Sequence, residues 1–118
     1  MIAAAREIAF EDLTPSAAIN PVWVAAGTPD EASQVVHASD DGKFIIQVWE
    51  CRSPVELNLQ DYPCDEFMTL IDGEVEVTDT EGNTKRLSAG DSFFLKKGHS
   101  GLWRQPGRLR KYSVCYLD

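Results

Sequence analysis

The sequence predicts an all-β domain of the sandwich or jelly-roll barrel type, preceded by an irregular N-terminal arm. Three observations lead there. From Lys43 onward apolar residues come in short runs, and no helical period is sustained over three turns. Turn chemistry separates those runs: Asp72-Gly73 and Asp79-Thr80-Glu81-Gly82-Asn83 both carry hairpin signals. Residues 1–41 differ from the rest in being alanine-rich and broken at Thr14-Pro15, Asn20-Pro21 and Thr28-Pro29, which forbids a long helix there.

Within the arm, Val22-Trp23-Val24-Ala25 and Gln34-Val35-Val36-His37 read as short strands, and Asp40-Asp41-Gly42 as the turn that follows. The arm is expected to pack on the barrel or on a partner subunit. The barrel occupies residues 42–118, with strands expected over 44–52, 55–59, 66–71, 74–78, 84–87, 91–95, 101–105 and 109–117. Eight strands at this spacing each bury one face, and closing them on one another limits open edges.

At 118 residues the chain forms one domain with one core, and a single pocket is the natural expectation. Nineteen acidic against eleven basic residues give a net charge of −8. That charge repels phosphate backbones, so neither nucleic acid nor an anionic membrane is expected as a partner. The first residues have no basic region followed by an apolar core, and no stretch approaches the roughly 18 apolar residues of a membrane span. The protein therefore reads as cytoplasmic. Cys51, Cys64 and Cys115 are odd in number and show no C-x-x-C spacing, so neither a disulfide framework nor a zinc ribbon is indicated. They read as reduced thiols, chiefly core fillers.

Two segments carry a family resemblance. Residues 65–75, with Glu66 seven positions before Gly73, resemble the second half of the first motif of the RmlC-like cupins. Ala89-Gly90-Asp91-Ser92-Phe93-Phe94-Leu95-Lys96-Lys97-Gly98 is similar to the start of their second motif. Val48-Trp49-Glu50-Cys51 and Gly98-His99-Ser100-Gly101-Leu102-Trp103 resemble the small cupins grouped with (S)-ureidoglycine aminohydrolase and the ethanolamine-utilisation cupins. The resemblance covers about residues 42–117 and implies a double-stranded β-helix, the cupin barrel.

The same resemblance implies a metal held by three histidines and a glutamate, and here the sequence departs. The His-x-His places fall on Gln60 and Tyr62, or on Leu59 and Asp61, and the second-motif histidine falls on Gly101. His99 stands two residues away, a shift of roughly 6–7 Å along a strand, more than a metal bond tolerates. No metal or other cofactor is therefore expected. The less favoured alternative is an unorthodox divalent transition-metal site built from Glu66, Cys64 and His99, with Tyr62 nearby.

Glu66 is the candidate catalytic residue. With Met68 and Leu70 following on its face, an unpaired carboxyl has a raised pKa and acts as general acid or base without a metal. The other reading pairs it with Arg52, Arg104 or Arg108 in a buried salt bridge. Candidate ligand-binding residues are Tyr62, Cys64, Met68, Trp103 and Arg104: by the resemblance Tyr62 and Trp103 lie near the barrel interior, and an inward arginine selects a carboxylate. The remaining basic residues, Lys96, Lys97, Arg108, Arg110 and Lys111, read as a solvated strand face. Two functions stay open. One is a cupin that binds a small polar or carboxylated metabolite without the usual metal. The other is a hydrolase or isomerase of the ureidoglycine aminohydrolase type that uses Glu66. A homodimer through a β-face and the arm is expected in either case.

Overall fold

The computed structural model describes Ile2 and residues 12–118, so the arm is described from Asp12 onward and the rest of its first eleven residues lies outside the described residues. The strands are β1 (Thr14–Ser16), β2 (Val24–Ala26), β3 (Glu31–Ala38), β4 (Phe44–Cys51), β5 (Val55–Leu59) and β6 (Asp65–Asp72). They continue as β7 (Glu74–Asp79), β8 (Thr84–Ser88), β9 (Ser92–Leu95), β10 (Gly101–Gln105) and β11 (Leu109–Tyr116). They form a six-stranded sheet in the order β1-β3-β4-β11-β6-β9 and a five-stranded sheet in the order β2-β5-β10-β7-β8. Neighbouring strands are antiparallel. Two antiparallel sheets enclosing one core are the jelly-roll expected from the sequence.

Alternation along the strands decides what each contributes. On β6, Glu66, Met68 and Leu70 are buried while Phe67 between them is exposed. On β11, Leu109, Lys111, Ser113 and Cys115 all point to the buried side. β11 lies between β4 and β6, so its inward residues face Trp49 and Cys51 on one flank and Glu66, Met68 and Leu70 on the other. The opposing sheet supplies Leu57, Leu59, Val75, Val77 and Trp103.

The motif spacing now has a physical meaning. Gly73 alone turns β6 into β7 at φ +87°, and a Cβ there would collide with the carbonyl oxygen of Arg108. Gly90-Asp91 turns β8 into β9 and is tied back to β6. The Gly90 N–H donates to Leu70 O and the Leu70 N–H donates to Asp91 O, each at 2.9 Å. Asp91 Oδ2 accepts the Ser88 N–H at 2.9 Å, which closes the turn.

The arm enters both sheets. β3 pairs with β4 from Glu31 opposite Cys51 to Ala38 opposite Ile45, with a register shift between Val35 and His37. β2 begins two residues later than expected because Pro21–Trp23 forms a 3-10 turn, capped by Asn20 Oδ1 accepting the Val22 N–H at 3.0 Å. On the outer face of the larger sheet, Leu13 packs with Ala32 and Val48 in a second small core. Among the described residues no helix is long and apolar enough to cross a membrane.

The two turn glycines should separate in their response to alanine. Gly82 also has a positive φ, of +84°, but open space where a Cβ would go. Gly82→Ala is expected to cost about 1–2 kcal/mol for the left-handed backbone alone. Gly73→Ala adds a backbone collision and should cost clearly more. Urea unfolding of both variants checks this ordering, and equal costs would contradict it.

Candidate functional site

A cavity of about 130 Å³ opens between the two sheets. Its walls are Trp49 from β4, Leu57 and Leu59 from β5, and Trp103 from β10. One side is closed by a strap from the arm, which contributes Ala18, Ile19 and Trp23. Glu31 fastens that strap: its Oε1 accepts the Ala18 and Ile19 N–H groups at 3.1 Å and the Trp49 indole N–H at 2.9 Å. Trp23 in turn stacks on Tyr62, with ring centroids 5.9 Å apart.

The polar groups of the cavity meet at Glu66. Lys111 Nζ donates to its Oε2 at 2.8 Å, and Tyr62 Oη donates to its Oε1 at 2.8 Å. Cys115 Sγ donates to Oε1 at 3.3 Å, and Cys64 Sγ lies 4.0 Å from the same oxygen. The register explains the convergence, because Cys115 stands directly opposite Glu66 on β11. Lys111 starts further along β11, opposite Leu70 and Trp49, and its long apolar stem carries the ammonium back past Met68. Nζ lies 3.0 Å from Met68 Sδ, 4.8 Å from the Trp49 ring centroid and 5.3 Å from that of Trp103. Two ring faces and one carboxylate stabilise its charge.

Burial by itself would push the Glu66 carboxyl up. No single group outweighs that burial, but the charge of Lys111 together with the hydrogen bonds from Lys111, Tyr62 and Cys115 does, and holds the carboxyl below its ordinary value of 4.5. Glu66 is therefore ionised at neutral pH. Tyr62 is raised well above 10, first by burial and then by the Glu66 charge, so it stays a hydroxyl donor. Burial and the same charge raise Cys64, and push Cys115 up to about 12. Both thiols are protonated.

Of the two sequence readings of Glu66, pairing is realised, with a different partner. Arg52 and Arg108 engage Glu50 on the outer face, at 3.6 and 2.8 Å, and Arg104 lies 3.7 Å from Glu76. Arg104 neighbours inward-pointing Trp103 on β10, so alternation turns it away from the cavity, which it does not line. Lys111 corrects the solvated-face reading: it is 7% exposed. The alternation that puts Leu109 inside puts Lys111 inside too, a signal present in the sequence.

Tyr62, Cys64 and Trp103 line the cavity as expected, while Met68 is fully buried beneath Lys111. Tyr62 is placed by its backbone, whose N–H donates to His99 O at 2.9 Å and whose carbonyl accepts the Gly98 N–H at 2.8 Å. The His99 side chain turns away and lines a separate cleft with Val77, Leu87 and Phe93. Cys64 and Glu66 are thus joined by Cys115, not by His99. A hard divalent ion of the kind the three-histidine site holds does not suit this set. The carboxylate is already paired with an ammonium, the other two donors are soft sulfurs, and no imidazole reaches them.

Residues 38–112 match the family model of the EutQ-like cupin domain. Among curated proteins none matches the chain significantly. A protein of unknown function from Pseudomonas syringae pv. tomato, of the DUF861 family, superposes with a TM-score of 0.81 at 26% identity, covering 87% of this chain. The chain spans only 43% of that protein's length. A putative ethanolamine utilization protein Q from Salmonella typhimurium gives a TM-score of 0.60 at 23% identity, over 74% of this chain and 69% of the other. The Clostridium difficile EutQ protein gives 0.63 at 18%, over 76% and 70%. The last two likenesses speak to the fold alone.

Removing one member of the buried pair should be costly. Lys111→Met is expected to lose about 3–5 kcal/mol at pH 7, because it strands a buried carboxylate, and adding Glu66→Leu should recover most of that loss. Denaturant unfolding of the single and double variants measures both. A Lys111→Met protein as stable as wild type would contradict the pairing.

Proposed function

The chain belongs to the EutQ-like cupin domains, and from that premise we propose that its barrel binds a small polar or carboxylated metabolite without the usual cupin metal. The observation that carries this reading is the Lys111 ammonium, held inside an apolar-walled cavity by Glu66. An ammonium has three N–H donors. One goes to Glu66 and one to the weak acceptor Met68 Sδ. The third has no partner among the described residues, which leaves it for a carboxylate or carbonyl oxygen of the ligand. Tyr62 Oη, which donates a hydrogen bond to Glu66, keeps lone pairs for a ligand donor. Trp49 and Trp103 supply flat apolar walls. A cavity this size is smaller than the 300–1,000 Å³ usual for drug-sized ligands, which favours a compact metabolite.

The alternative, a hydrolase or isomerase of the ureidoglycine aminohydrolase type with Glu66 as acid, base or metal ligand, receives less support. An ionised carboxylate with three hydrogen-bond donors has no proton to give and little basicity to spare. Three buried free thiols support a reducing, cytoplasmic setting.

A second copy of the chain is the expected partner, on the outer face of the six-stranded sheet. There Ile46, Val114, Phe67 and Phe94 stand opposite one another across β4, β11, β6 and β9. Phe67 and Phe94 are 48% and 55% exposed, and Phe44 and Tyr116 extend the patch. An apolar row of this kind is self-complementary about a two-fold axis.

Two measurements test these readings. In a thermal-shift screen of small carboxylates and ureides, a binder at a hundred times its dissociation constant should stabilise the protein by about 2.7 kcal/mol. Lys111→Met/Glu66→Leu should abolish the response, and a retained response would remove Lys111 from the site. In sedimentation at micromolar concentration the wild type should run as a dimer and Phe67→Lys as a monomer. A monomeric wild type would overturn the self-association.

A further inference from the structure

The two thiols beside Glu66 are not used by the binding reading above. Cys64, Glu66 and Cys115 are all buried, and one ligand atom of each lies within 4.8 Å of the others. Glu66 and Cys115 come from the paired strands β6 and β11, and Cys64 is the residue just before β6. Cys115 is registered opposite Glu66, and Cys64 stands two positions before Glu66 on the same side. The thiols therefore converge on one carboxylate oxygen. Cys64 also lines the cavity, which gives an ion a route in. The third cysteine, Cys51, lies apart, with its Sγ on Ser53.

We propose that Cys64 and Cys115 together bind one thiophilic monovalent metal ion of the copper(I) class. Sulfur ligands select such ions over hard ones, and two metal–sulfur bonds of about 2.3 Å each reach roughly 4.6 Å, close to the 4.8 Å within which the ligand atoms lie. The surroundings favour a single charge and two ligands. A zinc ion takes four ligands, but here one Glu66 oxygen is engaged by Tyr62 and the other by Lys111, a cation that repels a divalent ion. A bis-thiolate copper(I) complex carries a net charge of −1, and Lys111, paired with Glu66 beside it, keeps the loaded site at −1 rather than −2. The step balances without redox change. Each S–H releases its proton to buffer, two S–Cu bonds form, and the ion arrives already as copper(I) from a competing complex.

The test is an anaerobic titration of the reduced protein with the copper(I)–bicinchoninate complex, following the loss of its visible absorbance. Wild type and Cys51→Ser should each withdraw one equivalent of copper per chain. Cys64→Ser and Cys115→Ser should each withdraw at least tenfold less at the same chelator concentration. Copper capture that survives in both of those variants, or that is lost in Cys51→Ser, would overturn the site. A wild type that withdraws no copper would do the same. Copper-edge X-ray absorption on loaded wild type keeps the question open to refutation if a variant misfolds: two sulfur neighbours are expected, and an oxygen- and nitrogen-dominated environment would overturn the assignment. A tenfold excess of zinc(II) should leave copper capture unchanged, and blocked capture would overturn the preference for a monovalent ion.

Discussion

A charged pair inside the barrel sets the terms for the rest of the site. Lys111 and Glu66 are both buried, and desolvating two charges is costly unless each finds a close partner and further hydrogen bonds. The 2.8 Å contact between them meets the first need. Tyr62 and Cys115 on the carboxylate, with the Trp49 and Trp103 rings beside the ammonium, meet the second. Protonation of the surrounding groups follows from that arrangement. A fixed carboxylate charge discourages ionisation of the tyrosine and both thiols, and the lysine discourages protonation of the carboxylate.

The pair also accounts for the relation of this chain to the cupin frame. The glutamate of the first motif is present and points inward, but its partner is an ammonium carried in from β11. A positive charge is thus supplied at this carboxylate by the chain itself. The consequence is a site whose polar groups largely satisfy one another within the chain, with one Lys111 N–H and the lone pairs of the Tyr62 hydroxyl uncommitted among the described residues. The strap pinned by Glu31 narrows the cavity on the side of the arm, so part of the wall comes from residues outside the family-matched region.

Much of the fold was legible because its signals are local. The expected strands over 55–59 and 101–105 coincide with β5 and β10, and the others differ by one residue or so at their ends. Alternation and turn glycines are properties of a few adjacent residues. The arm was harder to read. β3 runs eight residues with a register shift in its second half, and a bulge breaks the period that would have marked it. Within the site, Tyr62, Cys64, Glu66 and Trp103 were legible from motif position and alternation, and they converge on the cavity. Charge alone suggests Arg104 for a carboxylate, but alternation from inward-pointing Trp103 turns it outward. Lys111 was misread because a run of basic residues looks solvated even when alternate members face inward.

The sequence by itself determined the barrel, the inward direction of Glu66 and the absence of histidines at the expected ligand places, since each depends on residue type and short spacing. The state of that carboxylate was decided by tertiary structure. Its partner lies 45 residues away in the chain, and only the pairing of β11 with β6 brings them together. Whether a buried carboxyl is a neutral acid or half of an ion pair depends on the charge beside it, and charge acts through space.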